Sequence, residues 1–242
     1  AVPTGPRRGP SSLLHPSLAP FRPPVSLVLN PPPQRSLVYG LLGGVASGKS
    51  TVAAFLAEPD GLIISADQLA HEVLRDPDLI ARVVDAFGPE VLDSAGQIHR
   101  PALGKVVFED KNAREQLEGW THPAIRARIS ADLKRARSRG VPTIVLDVPL
   151  LLENDQQHHL VEACDHLIFI EVPEEERERR AQHNRGWTPG EVARREAAQL
   201  PLSAKQAAAH WTLRADGTLP ELKQQVRRLL ADIAQHTPPT SP

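Results

Sequence analysis

The stretch Gly43-Gly44-Val45-Ala46-Ser47-Gly48-Lys49-Ser50-Thr51 decides the fold of this chain. It satisfies the pattern G-x-x-x-x-G-K-[ST] without a mismatch. Glycines let the backbone turn so that several N–H groups converge on one anion, and the positive end of the following helix adds to the attraction. The segment therefore predicts a nucleoside triphosphate site. The predicted ATP-binding residues are Gly43, Gly44, Ala46, Ser47, Gly48, Lys49, Ser50 and Thr51.

Two residues of this loop have distinct chemical roles. Lys49 is expected to reach the β- and γ-phosphates, and the Ser50 hydroxyl is expected to be a ligand of Mg²⁺. The context fits as well, because an apolar run at residues 37–42 precedes the loop and a helical pattern at 50–57 follows it. The motif and its context together predict triphosphate binding, but they do not say what is done with the nucleotide.

Further apolar runs alternate with helical stretches along the rest of the chain. Runs rich in β-branched residues between helices are typical of a parallel sheet that is covered on both faces. The predicted strands after the loop lie at 61–65, 143–148, 166–172 and, more weakly, 211–213. The predicted helical regions lie at 67–140, 174–209 and 219–233. We therefore predict an α/β fold, with an inserted helical subdomain between the second and third strands.

The N-terminal segment differs in composition from the rest of the chain. Ten of the 24 prolines lie in residues 1–36, together with four arginines and no acidic residue. Proline fixes φ and removes an N–H donor, so at this density it prevents a long helix or an inner strand. Residues 1–36 are predicted to form a disordered or polyproline-like arm. A flexible tail, an over-extended gene start and an organellar transit peptide all fit this composition.

The overall composition argues against several classes of protein. The chain has 242 residues, of which 40% are hydrophobic and 24% charged, as in globular proteins. Its net charge of −1 gives no bulk reason to expect nucleic-acid or membrane binding. The one cysteine, Cys164, is interpreted as a small apolar filler and suits a reducing compartment. We expect a cytoplasmic protein with neither a nucleic-acid nor a membrane partner, and a monomer rather than an oligomer, although an oligomer stays open.

Asp67 follows the second predicted strand and is the candidate catalytic base. Ligands of open α/β sheets lie beyond the carboxyl ends of the strands, so Asp67 should face the same crevice as the phosphate loop. A carboxylate there can take the proton of an attacking hydroxyl, or hold Mg²⁺ through water. The alternative is that Asp67 caps the helix that follows it, since Asp is a favoured N-cap residue.

Together with the strand and the loop, the segment Ser65-Ala66-Asp67 resembles the dephospho-coenzyme A kinase family. The resemblance covers residues 37–233 and extends to segments 87–92, 100–108, 121–125, 146–153, 185–187 and 199–205. It implies a P-loop kinase with a parallel β-sheet core flanked by helices, a helical acceptor-binding insertion and a helical lid. It also implies that ATP phosphorylates the ribose 3′-hydroxyl of dephospho-coenzyme A, with Asp67 as general base. In the family this is the last step of coenzyme A synthesis.

The resemblance also fixes the expected organisation of the chain. The kinase domain is expected at 37–236, between the arm at 1–36 and a disordered tail at 237–242. Its core comprises 37–66, 141–173 and 210–236, its acceptor subdomain 67–140 and its lid 174–209. The chain departs from the family pattern at three positions. Ser65 stands where the family has an acid. Ala209-His210 stands where the family has Ala-Asp, and Ala215-Asp216-Gly217 stands where it has Asn and Gly. An adenine contact from that Asn side chain is therefore not expected, whereas backbone contacts remain open.

Several other residues are candidates with two interpretations each. His122, Arg126 and Glu153 are predicted to bind the acceptor, but His122 also suits packing or capping at a helix start, Arg126 a solvated helix face and Glu153 a helix cap. Asp147, at the end of the third strand, is either a Walker-B-like acid or a residue without catalytic function. For metal binding, the predicted ligands are Ser50 and Asp67.

An arginine-rich segment precedes Gly186-Trp187. An arginine that a closing lid brings to the phosphates stabilises the charge of phosphoryl transfer. The alternative is a surface helix stabilised by ion pairs, because four glutamates alternate with these arginines. We select Arg180 and Arg185 as catalytic residues beside Lys49 and Asp67. Two further functions stay open: another small-molecule or nucleotide kinase, and a nucleotide-binding regulator without an acceptor.

Overall fold

The computed structural model describes Ala1 and residues 35–236. The predictions for the arm up to residue 34 and for the tail at 237–242 therefore lie outside the described residues. Within 35–236, five parallel strands form one sheet in the order β2-β3-β1-β4-β5. The strands are β1 (Leu37–Gly43), β2 (Leu62–Ser65), β3 (Thr143–Asp147), β4 (His166–Glu171) and β5 (Trp211–Arg214). The predicted parallel α/β sheet is confirmed, and the strand that precedes the loop lies at its centre.

Helices cover both faces of this sheet. They are α1 (Lys49–Leu56), α2 (Ala66–Val73), α3 (Pro77–Phe87), α4 (Arg100–Glu109), α5 (Lys111–Ser138), α6 (Asp155–His158), α7 (Glu174–Arg185), α8 (Glu191–Glu196), α9 (Leu202–Ala208) and α10 (Leu219–His236). None of the helices in the described part of the chain has the length and apolar character needed to cross a bilayer.

The core follows from the alternation of side chains along β1. Tyr39 and Leu41 point to the face covered by α1 and α10, whereas Val38 and Leu42 point to the face covered by α5. Gly40 lies on the second face, where an added Cβ would come within 2.8 Å of the Cys164 sulfur. Burial raises the pKa of the Cys164 thiol to about 12, so this sulfur is a packing group, as interpreted from the sequence.

The segment between β2 and β3 contains four helices, α2 to α5, around an apolar cluster of their own. Its longest helix corrects one sequence interpretation. His122 and Pro123 do not begin a helix, because α5 starts at Lys111 and continues through Pro123. Asp110 caps it by accepting a hydrogen bond from the Asn112 N–H at 2.8 Å. The Asp–Lys–Asn start signal therefore determines where α5 begins, and the proline is accommodated inside the helix.

Candidate functional site

The phosphate loop turns through three residues with positive φ. These are Gly43 at 149°, Ala46 at 59° and Gly48 at 84°. At Gly43 an added Cβ would lie 2.9 Å from the Ser47 Oγ and 3.0 Å from the Ile170 carbonyl oxygen, so only glycine fits there. Helix α1 starts after Gly48 without a side-chain cap, which leaves its first N–H groups for an anion.

The Lys49 side chain folds back onto the backbone of the phosphate loop. Its ammonium donates to the carbonyl oxygens of Gly44 at 2.8 Å and Gly43 at 3.3 Å. Burial lowers the pKa of Lys49 to about 8, and the charge of Lys205 lowers it further in the same direction. Lys49 is therefore still mostly protonated at pH 7 and can bind an anionic phosphate.

Ser50 and Asp147 form a pair at the carboxyl end of β3. The Ser50 hydroxyl donates to the Asp147 Oδ2 at 2.8 Å. Mg²⁺ prefers oxygen ligands and is commonly held by one or two protein oxygens together with substrate phosphates. Among residues 35–236, no group of three or more His, Cys, Asp and Glu side chains is placed to hold a metal by itself. The hydroxyl–carboxylate pair fits a Mg²⁺ ion that is shared with bound phosphates.

Asp67 does not cap helix α2. Ser65 is the N-cap residue, and its Oγ accepts a hydrogen bond from the Gln68 N–H at 3.4 Å. The capping alternative for Asp67 is therefore wrong, because the extended residue ahead of the helix is Ser65. Asp67 is exposed in the first turn of α2 and lines the same cavity as the phosphate loop. The replacement of the family's acid by Ser65 thus supplies a helix cap and leaves the Asp67 carboxylate free of that task.

A cavity of ≈ 930 Å³ joins these residues at the carboxyl edge of the sheet. Its walls are the phosphate loop, the ends of β1 and β3, the second half of α7 and residues 217–219. The predicted site residues that line it are Gly43, Ala46, Ser47, Gly48, Lys49, Ser50, Thr51, Asp67, Glu153, Arg180 and Arg185. The volume is that of a small-molecule or cofactor site.

Arg180 and Arg185 reach this cavity from helix α7. Arg180 donates to the Ala215 carbonyl oxygen and to Glu176, both at 2.7 Å. An added Cβ on Gly48 would lie 3.5 Å from the Arg180 Nη1, so this guanidinium stands beside the start of α1. The guanidinium of Arg185, the last residue of α7, lies 4.9 Å from the ring centre of Trp187. Both side chains line the cavity, Arg180 while ion-paired with Glu176, and their assignment as catalytic residues stays a prediction.

An ion pair between helices α7 and α8 contacts the phosphate loop. The Glu196 carboxylate accepts a hydrogen bond from the Val45 N–H at 2.7 Å, and Arg177 donates to the same oxygen. Arg177 is only 3% exposed and also donates to the Val172 carbonyl oxygen at 3.1 Å. Sequence reasoning missed Glu196, because no local pattern connects positions that are 151 residues apart.

A second ion pair involves the predicted acceptor residue Glu153. The Lys205 ammonium lies 2.8 Å from the Glu153 Oε1 and also donates to the Gln199 side-chain oxygen at 2.8 Å. Glu153 further accepts from the Leu200 N–H at 3.3 Å. The interpretation of Glu153 as a helix cap is wrong, since the nearest helix, α6, is preceded by Asn154. Sequence analysis placed Lys205 in a segment that resembles the family but gave it no role.

His122 and Arg126 lie elsewhere. Both are on helix α5, and neither lines the ≈ 930 Å³ cavity. His122 is exposed. Arg126 lies near His158, whose pKa is lowered mainly by burial and further by the Arg126 charge. Their assignment to the acceptor stays a prediction.

The two departures from the family pattern near β5 have local explanations. His210 makes two hydrogen bonds to Leu167, both at 2.9 Å. Its imidazole Nδ1 accepts from the Leu167 backbone N–H, and its backbone N–H donates to the Leu167 carbonyl oxygen. An imidazole nitrogen thus supplies a hydrogen-bond acceptor where the family has an Asp. Ala215 is buried and is held through its carbonyl oxygen by Arg180.

The chain is similar to known proteins in sequence and in structure. A family model described as dephospho-CoA kinase matches residues 37–221. The chain is 36% identical over 196 residues to a dephospho-CoA kinase of Geobacillus kaustophilus, covering 81% of this chain and 96% of that relative. It is 37% identical over 191 residues to one of Corynebacterium jeikeium, covering 78% and 96%.

Solved structures support the same fold. The crystal structure of TT1252 from Thermus thermophilus matches with a TM-score of 0.66 at 30% identity, over 84% of this chain and all of that one. A dephospho-CoA kinase from Campylobacter jejuni matches with a TM-score of 0.61 at 23% identity, over 82% and 97%, which supports the fold alone. The matching family model and the sequence identity to these kinases show more than the fold: the chain belongs to the dephospho-CoA kinase family.

Proposed function

We propose that this protein transfers the γ-phosphoryl group of ATP to the ribose 3′-hydroxyl of dephospho-coenzyme A, giving coenzyme A and ADP. This reaction is the last step of coenzyme A biosynthesis. One observation supports the scheme above others: the phosphate loop, the Ser50–Asp147 pair and the free Asp67 carboxylate share one cavity. A carboxylate in the same cavity as the phosphate loop supplies the proton acceptor that transfer to a hydroxyl needs.

The loop and its flanking cations hold the triphosphate. The N–H groups at the start of α1 and the Lys49 ammonium bind the β- and γ-phosphates. Ser50 and Asp147 would hold a bound Mg²⁺ ion, with Asp67 acting on it through water, and the ion would supply positive charge against the charge that develops on the phosphates. Lys49 exchanges its contacts with the Gly43 and Gly44 carbonyl oxygens for phosphate oxygens. Adenine is assigned to the wall at residues 217–219, through backbone groups.

Asp67 acts on the acceptor. Its carboxylate accepts the proton of the ribose hydroxyl as that oxygen forms its bond to the γ-phosphorus, while the bond from this phosphorus to the bridging oxygen of ADP breaks. The helical segment between β2 and β3 binds the remainder of the acceptor, with His122 and Arg126 as its proposed contacts. Since both lie outside the cavity wall, they would meet the distal part of the molecule rather than its reacting ribose.

Arg180 and Arg185 complete the site from the lid. Phosphoryl transfer spreads negative charge over the equatorial oxygens, and guanidinium groups that line the cavity stabilise that charge. Closure of the lid also excludes water, which would otherwise accept the phosphoryl group. The proposed lid comprises residues 174–209, the proposed acceptor subdomain 67–140, and the proposed core the three remaining segments of 37–236.

An acceptor panel tests this function. ADP release is measured with ATP and Mg²⁺ in the presence of dephospho-coenzyme A, nucleosides or nucleoside monophosphates, and ³¹P NMR locates the new phosphate. We expect dephospho-coenzyme A to be the preferred acceptor and its ribose 3′-position to carry the phosphate. Preference for a nucleoside or a monophosphate would indicate another P-loop kinase. Slow hydrolysis that no acceptor accelerates would indicate a regulator.

A further inference from the structure

A buried cation in the cavity wall has no part in the reaction scheme above. Lys205, on helix α9, lines the ≈ 930 Å³ cavity together with Lys49, yet its side chain is only 5% exposed. An ammonium group is strongly hydrated in water, so its burial requires compensating partners. The fold supplies two such partners, the Glu153 carboxylate and the Gln199 amide oxygen, each at 2.8 Å.

The hydrogen-bonding capacity of this ammonium is not exhausted. A protonated lysine carries three N–H donors; the Gln199 oxygen accepts from one of them, and Glu153 forms an ion pair with the ammonium. Within residues 35–236 no third acceptor contacts the Lys205 nitrogen. Glu153 is itself fixed by the Leu200 N–H at 3.3 Å, so the position of the ammonium is determined by both neighbours rather than by a flexible stem.

The charge of Lys205 acts on the phosphate end of the cavity. Among the charges around Lys49, that of Lys205 contributes most to lowering the pKa of the Lys49 ammonium. The cavity wall holds Lys49, Lys205, Arg180 and Arg185, and the carboxylate of Glu153 forms an ion pair with Lys205. A γ-phosphate carries more than one negative charge and has several acceptor oxygens, so it suits two ammonium groups better than one.

We propose that Lys205 is a second γ-phosphate-binding residue, whose ammonium contacts the γ-phosphoryl group that Lys49 also holds, and that Glu153 and Gln199 position it. The inference rests on the proposed use of ATP as donor but not on the identity of the acceptor. It also reassigns Glu153 from acceptor binding to the positioning of Lys205.

Nucleotide binding without any acceptor tests the contact. The affinities of Mg²⁺-ADP and of a Mg²⁺-bound, non-hydrolysable ATP analogue are measured by calorimetry for the wild type and for Lys205→Met. We expect the variant to lose about 10-fold in affinity for the triphosphate analogue, because a charged hydrogen bond is removed, and less than about twofold for ADP. An equal loss for both nucleotides, or no loss for either, would overturn the proposal.

Three variants exclude indirect effects. Lys223→Met removes a more exposed lysine paired with Glu58, and it should change neither affinity. The double variant Lys205→Met/Glu153→Gln removes the carboxylate that the single variant leaves unpaired, and it should still bind the analogue weakly. Restored discrimination in the double variant would show that repulsion by Glu153, not loss of a phosphate contact, caused the effect. Lys205→Arg keeps the charge and should retain part of the preference, even if the Met variant unfolds.

Turnover supplies the second readout. If the contact persists during transfer, Lys205→Met lowers kcat by about 10²-fold, as for other groups that stabilise developing charge, and leaves the KM of dephospho-coenzyme A unchanged. Glu153→Gln should lower kcat less, because the cation remains. A raised acceptor KM in Glu153→Gln with normal kcat would instead return Glu153 to the acceptor site. Should the acceptor panel identify a different acceptor, the ADP-versus-analogue comparison is unaffected, so the two proposals fail separately.

Discussion

The phosphate loop and the lid region contribute to the same cavity but are built in opposite ways. The loop is nine consecutive residues, and its shape follows from glycines at positions where φ is positive, such as Gly48 at 84°. The proposed lid at 174–209 supplies cations that have partners far away in sequence as well as near ones. Arg180 bonds to Ala215, 35 residues on, and Lys205 pairs with Glu153, on the other side of β4.

The difference shows which part of a site a sequence can disclose. In the loop, residue type and spacing carry the chemistry, so any chain with this pattern between a strand and a helix is predicted to bind phosphate. In the lid, the pattern of alternating Arg and Glu is equally typical of a solvated helix. The tertiary structure shows that Arg180, which also bonds to Ala215, lines the cavity, whereas Arg194 forms a surface pair with Glu191.

The largest effect is expected from Asp67, because it acts on the reacting hydroxyl. Asp67→Asn should lower kcat by about 10²–10⁴-fold and leave ATP affinity nearly unchanged, since the amide cannot accept the proton. Steady-state kinetics and calorimetric ATP binding measure the two quantities. The matched control is Ser65→Ala, which removes the helix cap at a cost of about 1 kcal/mol and should keep wild-type kcat. Normal turnover in Asp67→Asn would remove Asp67 from the role of base.

Much of the core was predictable, for a physical reason. Five strands and the flanking helices lie close to the predicted segments, because apolar periodicity reports burial directly. The resemblance to a family identified the reaction, and the loop pattern identified the triphosphate end. The same approach misplaced a helix start at His122-Pro123, because a proline inside a long helix resembles one at its beginning. It also left Asp67 undecided between cap and base until Ser65 was found to be the cap.

The positioning residues were not predictable. Glu196 carries no motif of its own, and the family resemblance of segment 199–205 gave Gln199 and Lys205 no role; their function depends on how α8 and α9 pack against the loop and β1. A glutamate or lysine in a helix is normally a solvated residue. Its burial is a property of the tertiary structure, which local periodicity does not encode.

Lys49 tests the loop side of the comparison through pH. Its pKa of about 8 means that the ammonium is charged below this pH and neutral above it. Phosphate favours the charged form, so ATP binding takes up a proton near pH 8 and weakens as the pH rises. We expect kcat/KM for ATP to fall toward 10-fold per pH unit above about pH 8. Lys49→Arg should have a lower kcat/KM but should not show this decline, because a guanidinium stays charged. A decline of equal size in that variant would mean that another group causes the decline.

The Arg177–Glu196 pair tests whether the lid holds the loop. Arg177→Ala removes the cation that pairs with Glu196 but leaves the Glu196 carboxylate hydrogen-bonded to the Val45 N–H of the loop. The negative charge, no longer neutralised, should repel the triphosphate and lower ATP affinity by about 10-fold. Glu196→Ala should lower it only about threefold, since it removes one anchoring hydrogen bond.

The order of the variants is the decisive result for this pair. The double variant Arg177→Ala/Glu196→Ala should bind ATP better than Arg177→Ala alone and about as well as Glu196→Ala. Thermal unfolding of each variant shows whether the fold persists, and Arg177→Lys serves if the alanine variant does not fold. If the double variant binds as weakly as Arg177→Ala, the loss comes from lid packing and not from the unpaired carboxylate, and the loop is independent of the pair.

The smallest effect is expected at Trp187, which supports a lid arginine only through its ring. The guanidiniums of Arg185 and Arg195 lie 4.9 and 4.1 Å from its ring centre, and such contacts at exposed sites are worth about 0.5–1 kcal/mol each. Arg185 lines the cavity while it is stacked, so Trp187 helps to place it. Trp187→Ala should therefore lower kcat about two- to fivefold with an unchanged KM for ATP, whereas Trp187→Phe, which keeps an aromatic face, should retain most of the activity. An increase in kcat for Trp187→Ala would mean that the contact with Trp187 holds Arg185 away from the phosphates. In that case the phosphate loop is preformed for binding, whereas the lid arginine has to move.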